Sequence, residues 1–137
     1  MKTGGINIWA VVVAAVVYWL LGAAWFTIWS NPWLASIGKT MDQVKQDAVN
    51  PGIAYGVAFV CNLIIAYVIG WVTVATGEQT VMRGVTIAAL LWIGLVGTTS
   101  GTAFIFEGRS FQGFWLTAGY PLVGMLLMGV IVGGWKK

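Results

Sequence analysis

Four long apolar runs constrain this chain more than any other feature of its sequence. Each run can cross a bilayer as a helix, because a spanning helix needs ~20 residues at a rise of ~1.5 Å per residue. The runs predict an all-α integral membrane protein, an antiparallel four-transmembrane-helix bundle formed by a single membrane domain over residues 1–137. The predicted spans cover about residues 8–29, 51–75, 83–106 and 111–134.

Composition restricts the class of protein in the same direction. Charged residues make up 8% of the chain and hydrophobic residues 59%. An average soluble chain is about 25% charged and roughly 45–50% apolar. So little charge cannot cover a soluble globule, which excludes a water-soluble enzyme, a nucleic-acid-binding domain and a disordered linker. We expect membrane lipids as partners and no nucleic acid.

The polar segment between the first two runs predicts a helix of a different kind. Span one is expected to end before Pro32, with a turn at Asn31-Pro32, because a residue that precedes proline avoids the α region. Thr40 and Gln43 then form a T-x-x-Q capping box. The pattern behind them predicts a short amphipathic helix over about residues 40–49, lying at the membrane surface. An ordinary solvated connector helix is the alternative.

The distribution of basic residues predicts the orientation of the chain. Short loops after the second and third spans force antiparallel neighbours, and four spans place both termini on one side. That side carries four basic residues, namely Lys2, Arg83, Lys136 and Lys137. The opposite side carries three, namely Lys39, Lys45 and Arg109. Because Lys and Arg are enriched on the cytoplasmic side, we predict that both termini are cytoplasmic.

The tryptophans provide a separate test of the predicted spans. Indole rings favour the headgroup level of a bilayer. Trp19 and Trp92 fall near the predicted middle of the membrane, and Trp25 falls one turn inside a boundary. The remaining six fall at predicted boundaries and are interpreted as interfacial anchors: Trp9, Trp29, Trp33, Trp71, Trp115 and Trp135.

Several kinds of chemistry have no residues to support them. The sequence has no histidine and a single cysteine, Cys61, and no carboxylate lies in the middle of a span. This excludes His-ligated haem, zinc sites of the usual His/Cys kind, Ser-His-Asp catalysis and a buried proton relay. We therefore expect no catalytic residue, no cofactor and no metal. Cys61 is expected to be a small buried hydrophobe.

Glycine is abundant, but the spacing of the glycines gives no evidence for a dimer motif. Three GxxxG pairs occur, at Gly52/Gly56, Gly97/Gly101 and Gly129/Gly133, about the number expected by chance for 19 glycines in 137 residues. The glycine content as a whole predicts close packing of helices.

The densest polar cluster joins the third span to the fourth. Its candidate site residues are Thr98, Thr102, Glu107, Arg109, Thr117 and Tyr120. They predict a polar pocket that opens on the side opposite the termini, in which Arg109 pairs with an anionic headgroup or substrate and Glu107 holds it. The alternative is a charged turn with an internal ion pair, in which the threonines bond to their own helix carbonyls. Pro121 is expected to kink span four and free a carbonyl near Thr117.

Two stretches of sequence resemble a known bacterial family. They are Phe106-Glu107-Gly108-Arg109-Ser110, followed by Phe114, Leu116 and Ala118-Gly119-Tyr120, and the earlier Gly22-Ala23-Ala24-Trp25-Phe26 with Trp33 after it. In these the chain resembles DUF1761, a family of small bacterial proteins with four predicted spans and no assigned function. The resemblance implies a multi-pass protein of the bacterial inner membrane. Where the family often has a histidine after Gly-Tyr, this chain has Pro121, so any role of that imidazole is absent or altered here.

The sequence leaves more than one function open. The first hypothesis is a non-enzymatic membrane protein that works as a homo-oligomer or as an accessory subunit of a larger complex. The alternative is a small ion or solute channel or transporter, acting as an oligomer with a polar path near Thr98, Thr102, Glu107 and Arg109. A lipid- or quinone-modifying enzyme using Glu107, Arg109 and Tyr120 is disfavoured, because no nucleophile–base pair or metal set accompanies them.

Overall fold

The computed structural model describes residues 6–38, 40, 42–43, 51–108 and 111–135. The helices are α1 (Ile8–Ile28), α2 (Ser30–Ile37), α3 (Pro51–Thr76), α4 (Val81–Leu91), α5 (Thr98–Glu107) and α6 (Phe111–Gly134). A π-helical segment, Trp92–Gly97, joins α4 to α5. Together these three segments form the third span of the bundle. Among the described residues, four helices are long and apolar enough to cross a membrane, which confirms the predicted all-α class with four spans. Their ends lie within two residues of the predicted span boundaries.

The chain turns into a second helix directly after the first. Helix α1 ends at Ile28, before Pro32 as predicted, and α2 begins at Ser30. The turn expected at Asn31-Pro32 is wrong, because both residues lie in the first turn of α2. A proline is tolerated there since its missing N–H has no partner within the helix. Gly38 ends α2 with a left-handed φ of 70°.

The predicted capping box forms at Thr40. The Thr40 N–H donates to Gln43 Oε1 at 2.9 Å, and the Gln43 N–H donates to Thr40 Oγ1 at 3.3 Å. Asp42 and Gln43 are helical. The rest of the predicted amphipathic helix, residue 41 and residues 44–49, lies outside the described residues, so its extent stays a prediction.

Helix α6 is the central helix of the bundle. In its most apolar stretch of 18 residues, 50% is buried inside the bundle. The corresponding buried share in the other three spans is between 17% and 28%. Helices α1, α3 and α4 all pack against it. Its contacts with the third span pair Gly84 with Gly129, Trp92 with Ala118, and Phe104 with Phe114. The partner numbers descend, which is the order expected for two helices that run in opposite directions.

Glycines bring the backbones of α4 and α6 into direct contact. A Cβ atom added at Gly84 would collide with the carbonyl of Gly129, and one added at Gly133 would collide with the carbonyl of Thr80. The pair Gly129/Gly133 therefore packs inside one chain, as the glycine content predicts. This contact requires residues without a side chain, since any Cβ would force the two helices apart.

Packing divides the bundle into two halves. We call residues 6–18, 62–92 and 118–135 the terminal half, and residues 19–38, 52–61, 93–108 and 111–117 the loop half. The whole cluster of core residues lies in the terminal half, and it includes Ala14, Ile69, Ala88 and Met128. In the loop half, Phe104 and Leu116 are the buried hydrophobic residues among those described. The first two turns of α3, residues 52–58, are exposed on every side.

Candidate functional site

The two threonines of the predicted polar site point away from the bundle. Thr98 and Thr102 are both exposed. The Thr98 hydroxyl donates to the carbonyl of Gly94 at 2.9 Å, and the Thr102 hydroxyl donates to the carbonyl of Thr98 at 2.9 Å. These are the bonds of the alternative interpretation, in which each threonine bonds to its own helix.

The other predicted site residues are not gathered around those threonines. Glu107 is exposed at the end of α5, where Gly108 turns the chain with a φ of 69°. Arg109 lies outside the described residues, so its pairing with Glu107 stays a prediction. Tyr120 packs against α1 instead, and its hydroxyl donates to the carbonyl of Tyr18 at 3.2 Å. The described part of the chain therefore does not join Tyr120 and the two threonines in one pocket.

Thr117 is the predicted site residue with an unsatisfied group. Its Oγ1 is buried and has no hydrogen-bond partner among the described residues. Pro121 follows one turn later inside α6 and lacks the N–H that would bond the Thr117 carbonyl. Two indole groups bond to the carbonyls on either side: Trp25 Nε1 donates to Leu116 and Trp92 Nε1 donates to Ala118, each at 2.9 Å. The sequence pattern points to Pro121 but not to these donors, although a buried indole N–H usually requires an acceptor. The kink expected at Pro121 stays a prediction.

An aromatic groove opens near Pro121, between α1 and α6. It has a volume of about 440 Å³. Its lining is apolar and aromatic, and Gly119 forms its floor under the Trp25 ring. The lining residues are Trp25, Trp29, Trp115, Leu116, Gly119, Leu122 and Val123. With no charged side chain among them, the groove suits an apolar chain or ring rather than an ion.

A second cavity, the terminal pocket, lies at the end of the bundle that contains the loop 77–80. Its volume is about 310 Å³. Unlike the aromatic groove it is lined by charged and hydroxyl side chains, namely Glu78, Thr80, Arg83 and Thr86, together with Met82 and Ile87. The sequence pattern marked Arg83 only as a basic residue in a tight loop. The lining residues all lie between positions 78 and 87, but residue type alone does not show that their side chains enclose a cavity.

Polar side chains near the terminal pocket bond to the ends of three helices. Thr80 Oγ1 accepts the N–H of Arg83 at 3.0 Å and caps α4. Gln79 Nε2 donates to the carbonyl of Val132 at 2.6 Å and to that of Trp135 at 3.4 Å, near the end of α6. Arg83 Nη1 donates to the carbonyl of Thr76 at 3.4 Å, at the end of α3. The side chains around this loop thereby bond to backbone carbonyl and N–H groups that lack a partner within their own helix end.

Most of the predicted tryptophan anchors have exposed rings. Trp9, Trp29, Trp115 and Trp135 are exposed, and Trp71 is half-buried. The side chain of Trp33 lies outside the described part of the chain. Their location at a membrane interface stays a prediction.

Cys61 corrects a sequence expectation. It is exposed on α3 rather than buried. The apolar run that contains it predicted burial in a core, but an apolar residue of a spanning helix is equally stable against lipid.

Comparison with known proteins identifies a family but no individual relative. A family model described as "Protein of unknown function (DUF1761)" matches residues 9–133. No curated protein and no solved structure matches the chain.

Proposed function

Since the chain belongs to DUF1761, a family whose function is unknown, its role has to be argued from its own surfaces, and we propose that it is a non-enzymatic membrane protein that assembles through its loop half. The assembly is a homo-oligomer, or a complex in which this chain is an accessory subunit. The observation that carries the proposal is a face of small and hydroxyl residues on the third span that no described residue covers.

This face, the hydroxyl face, runs along the third span in the loop half. It consists of Gly94, Thr98, Thr99, Thr102 and Ala103, all of which are exposed. Within lipid, helices associate by close van der Waals packing and interhelical hydrogen bonds, and small residues allow the backbones to approach. The hydroxyl oxygens of Thr98 and Thr102 donate within their own helix, and each can still accept a bond from a neighbouring chain.

The start of α3 supports assembly from the same half of the bundle. Gly52, Ala54, Gly56 and Ala58 are exposed there. A Cβ atom at Gly56 would meet nothing within 4 Å, in contrast to Gly84. An exposed surface of small residues is suited to close packing by a helix of another chain. The predicted helix over residues 40–49 does not suit this membrane-embedded surface, because Asp42, Lys45, Gln46 and Asp47 would have to enter the hydrocarbon.

Cysteine cross-linking in membranes tests this proposal. The sole cysteine, Cys61, is first replaced by alanine, and Thr98→Cys or Thr102→Cys is then introduced. We expect an oxidant to link two copies at either position, because a disulfide requires Cα atoms within roughly 7 Å. The control is Leu90→Cys, which is 59% exposed on the same span but lies in the terminal half. Equal cross-linking at all three positions, or a clean monomer without bound protein in native mass spectrometry, would contradict the proposal.

The transport alternative would use the same face. In an oligomer, the aligned hydroxyls of Thr98 and Thr102 would line a shared path. Purified protein in liposomes would then carry flux that Glu107→Ala and Arg109→Ala abolish while the fold persists. Flux that neither substitution changes would remove the proposed path, whereas cross-linking without flux would favour a purely structural assembly.

The proposal includes an orientation in the bacterial inner membrane, with both termini cytoplasmic. The count of basic residues supports this orientation, because four lie on the side of the termini and three on the opposite side. Reporter fusions to Lys137 and to the segment 39–50 would test it. A periplasmic signal from the C-terminal fusion would contradict it.

A further inference from the structure

We propose that the terminal pocket binds the phosphate group of an anionic phospholipid, with Arg83 as its principal ligand. This inference does not depend on oligomer formation, since the pocket and the hydroxyl face lie in different halves of the bundle.

The Arg83 guanidinium is held in place by the loop beneath it. A Cβ atom at Gly77 would lie 2.7 Å from the Arg83 Cζ, so the absence of a side chain at position 77 makes room for the guanidinium. Nη1 donates to the Thr76 carbonyl at 3.4 Å. A guanidinium has five N–H donors in a planar fork that matches phosphate oxygens. This bond uses one donor, and no described residue is seen to accept from the others, which leaves them for a ligand in the pocket.

Two hydroxyl groups line the pocket beside Arg83. Thr80 Oγ1 accepts the N–H of Arg83 at 3.0 Å, which leaves its own hydroxyl hydrogen to donate to a phosphate oxygen. Thr86 donates to the Met82 carbonyl at 2.8 Å and contributes a polar oxygen to the wall. Helix α4 begins at Val81, so the positive end of its dipole adds to the attraction for an anion.

The net charge of the chain is concentrated at this end. By sequence position the terminal end carries Lys2, Arg83, Lys136 and Lys137 against Glu78, which leaves all of the net +3 here. The charges of the opposite end cancel, because it has three basic and three acidic residues by sequence position. They are Lys39, Lys45 and Arg109, and Asp42, Asp47 and Glu107. Glu78 lines the pocket and opposes an anion. Its charge offsets that of Arg83 within the lining, so the net positive charge of this end comes from Lys2, Lys136 and Lys137 by sequence position. Basic residues beside a span attract anionic lipid.

The remaining walls of the pocket identify the ligand as a lipid rather than a free phosphate. Met82 is 75% exposed and lines the cavity with Ile87. Both belong to the third span, so the apolar wall continues from the polar pocket towards the hydrocarbon. A phospholipid matches this arrangement because its phosphate lies at the interface and its chains lie against the span.

Native mass spectrometry with added lipid tests the proposal on the full chain. Wild-type protein in mild detergent is titrated with phosphatidylglycerol and, separately, with phosphatidylcholine. We expect selective retention of phosphatidylglycerol and a roughly tenfold weaker retention by Arg83→Gln, the loss expected for a charge-assisted hydrogen bond. Lys39→Gln is the matched control, because it removes the same charge at the opposite end and should leave binding unchanged. Glu78→Gln should strengthen binding, and it keeps the test decisive if Arg83→Gln does not fold.

Four results would overturn the inference. One is equal retention of the two lipids by wild type. Another is an Arg83→Gln protein that is folded and keeps the preference for phosphatidylglycerol. The third is displacement of the lipid by inorganic phosphate alone at millimolar concentration, which would make the pocket a site for a free anion. Loss of binding in Lys39→Gln to the same degree would likewise replace a specific pocket with a general charge effect.

Discussion

The terminal half and the loop half of this bundle are built from the same few residue types but packed by different means. In the terminal half, glycines bring helix backbones together at Gly84 and Gly129, and the loop 77–80 bonds to helix ends. In the loop half, rings rather than backbones fill the space, as where Phe104 meets Phe114 with centroids 5.6 Å apart. The terminal half of the bundle is therefore stabilised by contacts within the chain, while the loop half leaves surface for lipid or protein.

The boundary between the halves coincides with two irregular helix segments. Trp92 begins the π-helical segment of the third span and bonds to Ala118, three residues before Pro121. Helix irregularities of both kinds change the direction of a helix axis. The two irregular segments therefore lie side by side, at the level where close packing ends.

The largest expected effect comes from breaking the glycine contact of the terminal half. Gly84→Ala should lower the free energy of unfolding by about 3 kcal/mol, since the new Cβ collides with the backbone of α6 and cannot be relieved by a rotamer change. Gly94→Ala is the matched control on the same span, because a Cβ there meets nothing within 4 Å. We expect it to be neutral or to stabilise by up to about 1 kcal/mol through helix propensity.

Unfolding of both variants in mixed detergent micelles, followed by circular dichroism, measures this difference. If Gly84→Ala unfolds like Gly94→Ala, the two halves do not differ in packing as argued.

A smaller effect is expected from the indole at the boundary. Trp92→Phe leaves the Ala118 carbonyl without its donor in a buried position, which should cost about 2 kcal/mol. Trp115→Phe, at a ring that is 43% exposed, should cost less than about 1 kcal/mol. The same unfolding assay compares them. A larger loss at Trp115 would mean that the loop half is the more tightly packed of the two.

Capping at the terminal end should contribute about 1 kcal/mol. Thr80→Ala removes the hydroxyl that accepts the Arg83 N–H at the start of α4. Thr86→Ala is the control within the same helix, since its hydroxyl only bonds back to Met82 and its loss should change stability by about 0.5 kcal/mol or less. Equal losses in the two variants would show that the N-terminus of α4 gains nothing from its cap.

The sequence predicts the part of this fold that depends on local patterns. The four spans follow from the length of each apolar run, and the bonds between Thr40 and Gln43 follow from their spacing. It does not predict which face of a span meets protein. Lipid tails are as apolar as a protein core, so the buried Ala88 and the exposed Cys61 carry the same signal.

The candidate site shows the same limit. The pattern of residues 98–120 drew attention to Thr98, Thr102 and Tyr120 because they are polar within apolar runs. The structure places Tyr120 against α1 and leaves the two threonines exposed, because rotation about each helix axis decides where a side chain points. The terminal pocket was missed for a related reason. Its lining residues lie between positions 78 and 87, but whether their side chains enclose a cavity depends on where each points around α4.

The smallest expected effect belongs to the hydroxyl face, and it separates stability from assembly. Thr98→Val keeps the shape of the side chain and removes a hydroxyl that is exposed and bonded within its own helix. Stability of the single chain should therefore change by less than about 0.5 kcal/mol. If the same hydroxyl accepts a bond from a second copy, the association constant should fall roughly threefold, which corresponds to the ~0.6 kcal/mol of an average interhelical bond in a membrane. Energy transfer between labelled copies in liposomes at several protein-to-lipid ratios measures that constant, with Thr86→Val as the control in the terminal half. A fall in the free energy of unfolding without a change in the association constant would mean that Thr98 stabilises the single chain. The exposure of the hydroxyl face would then be no evidence for a second chain.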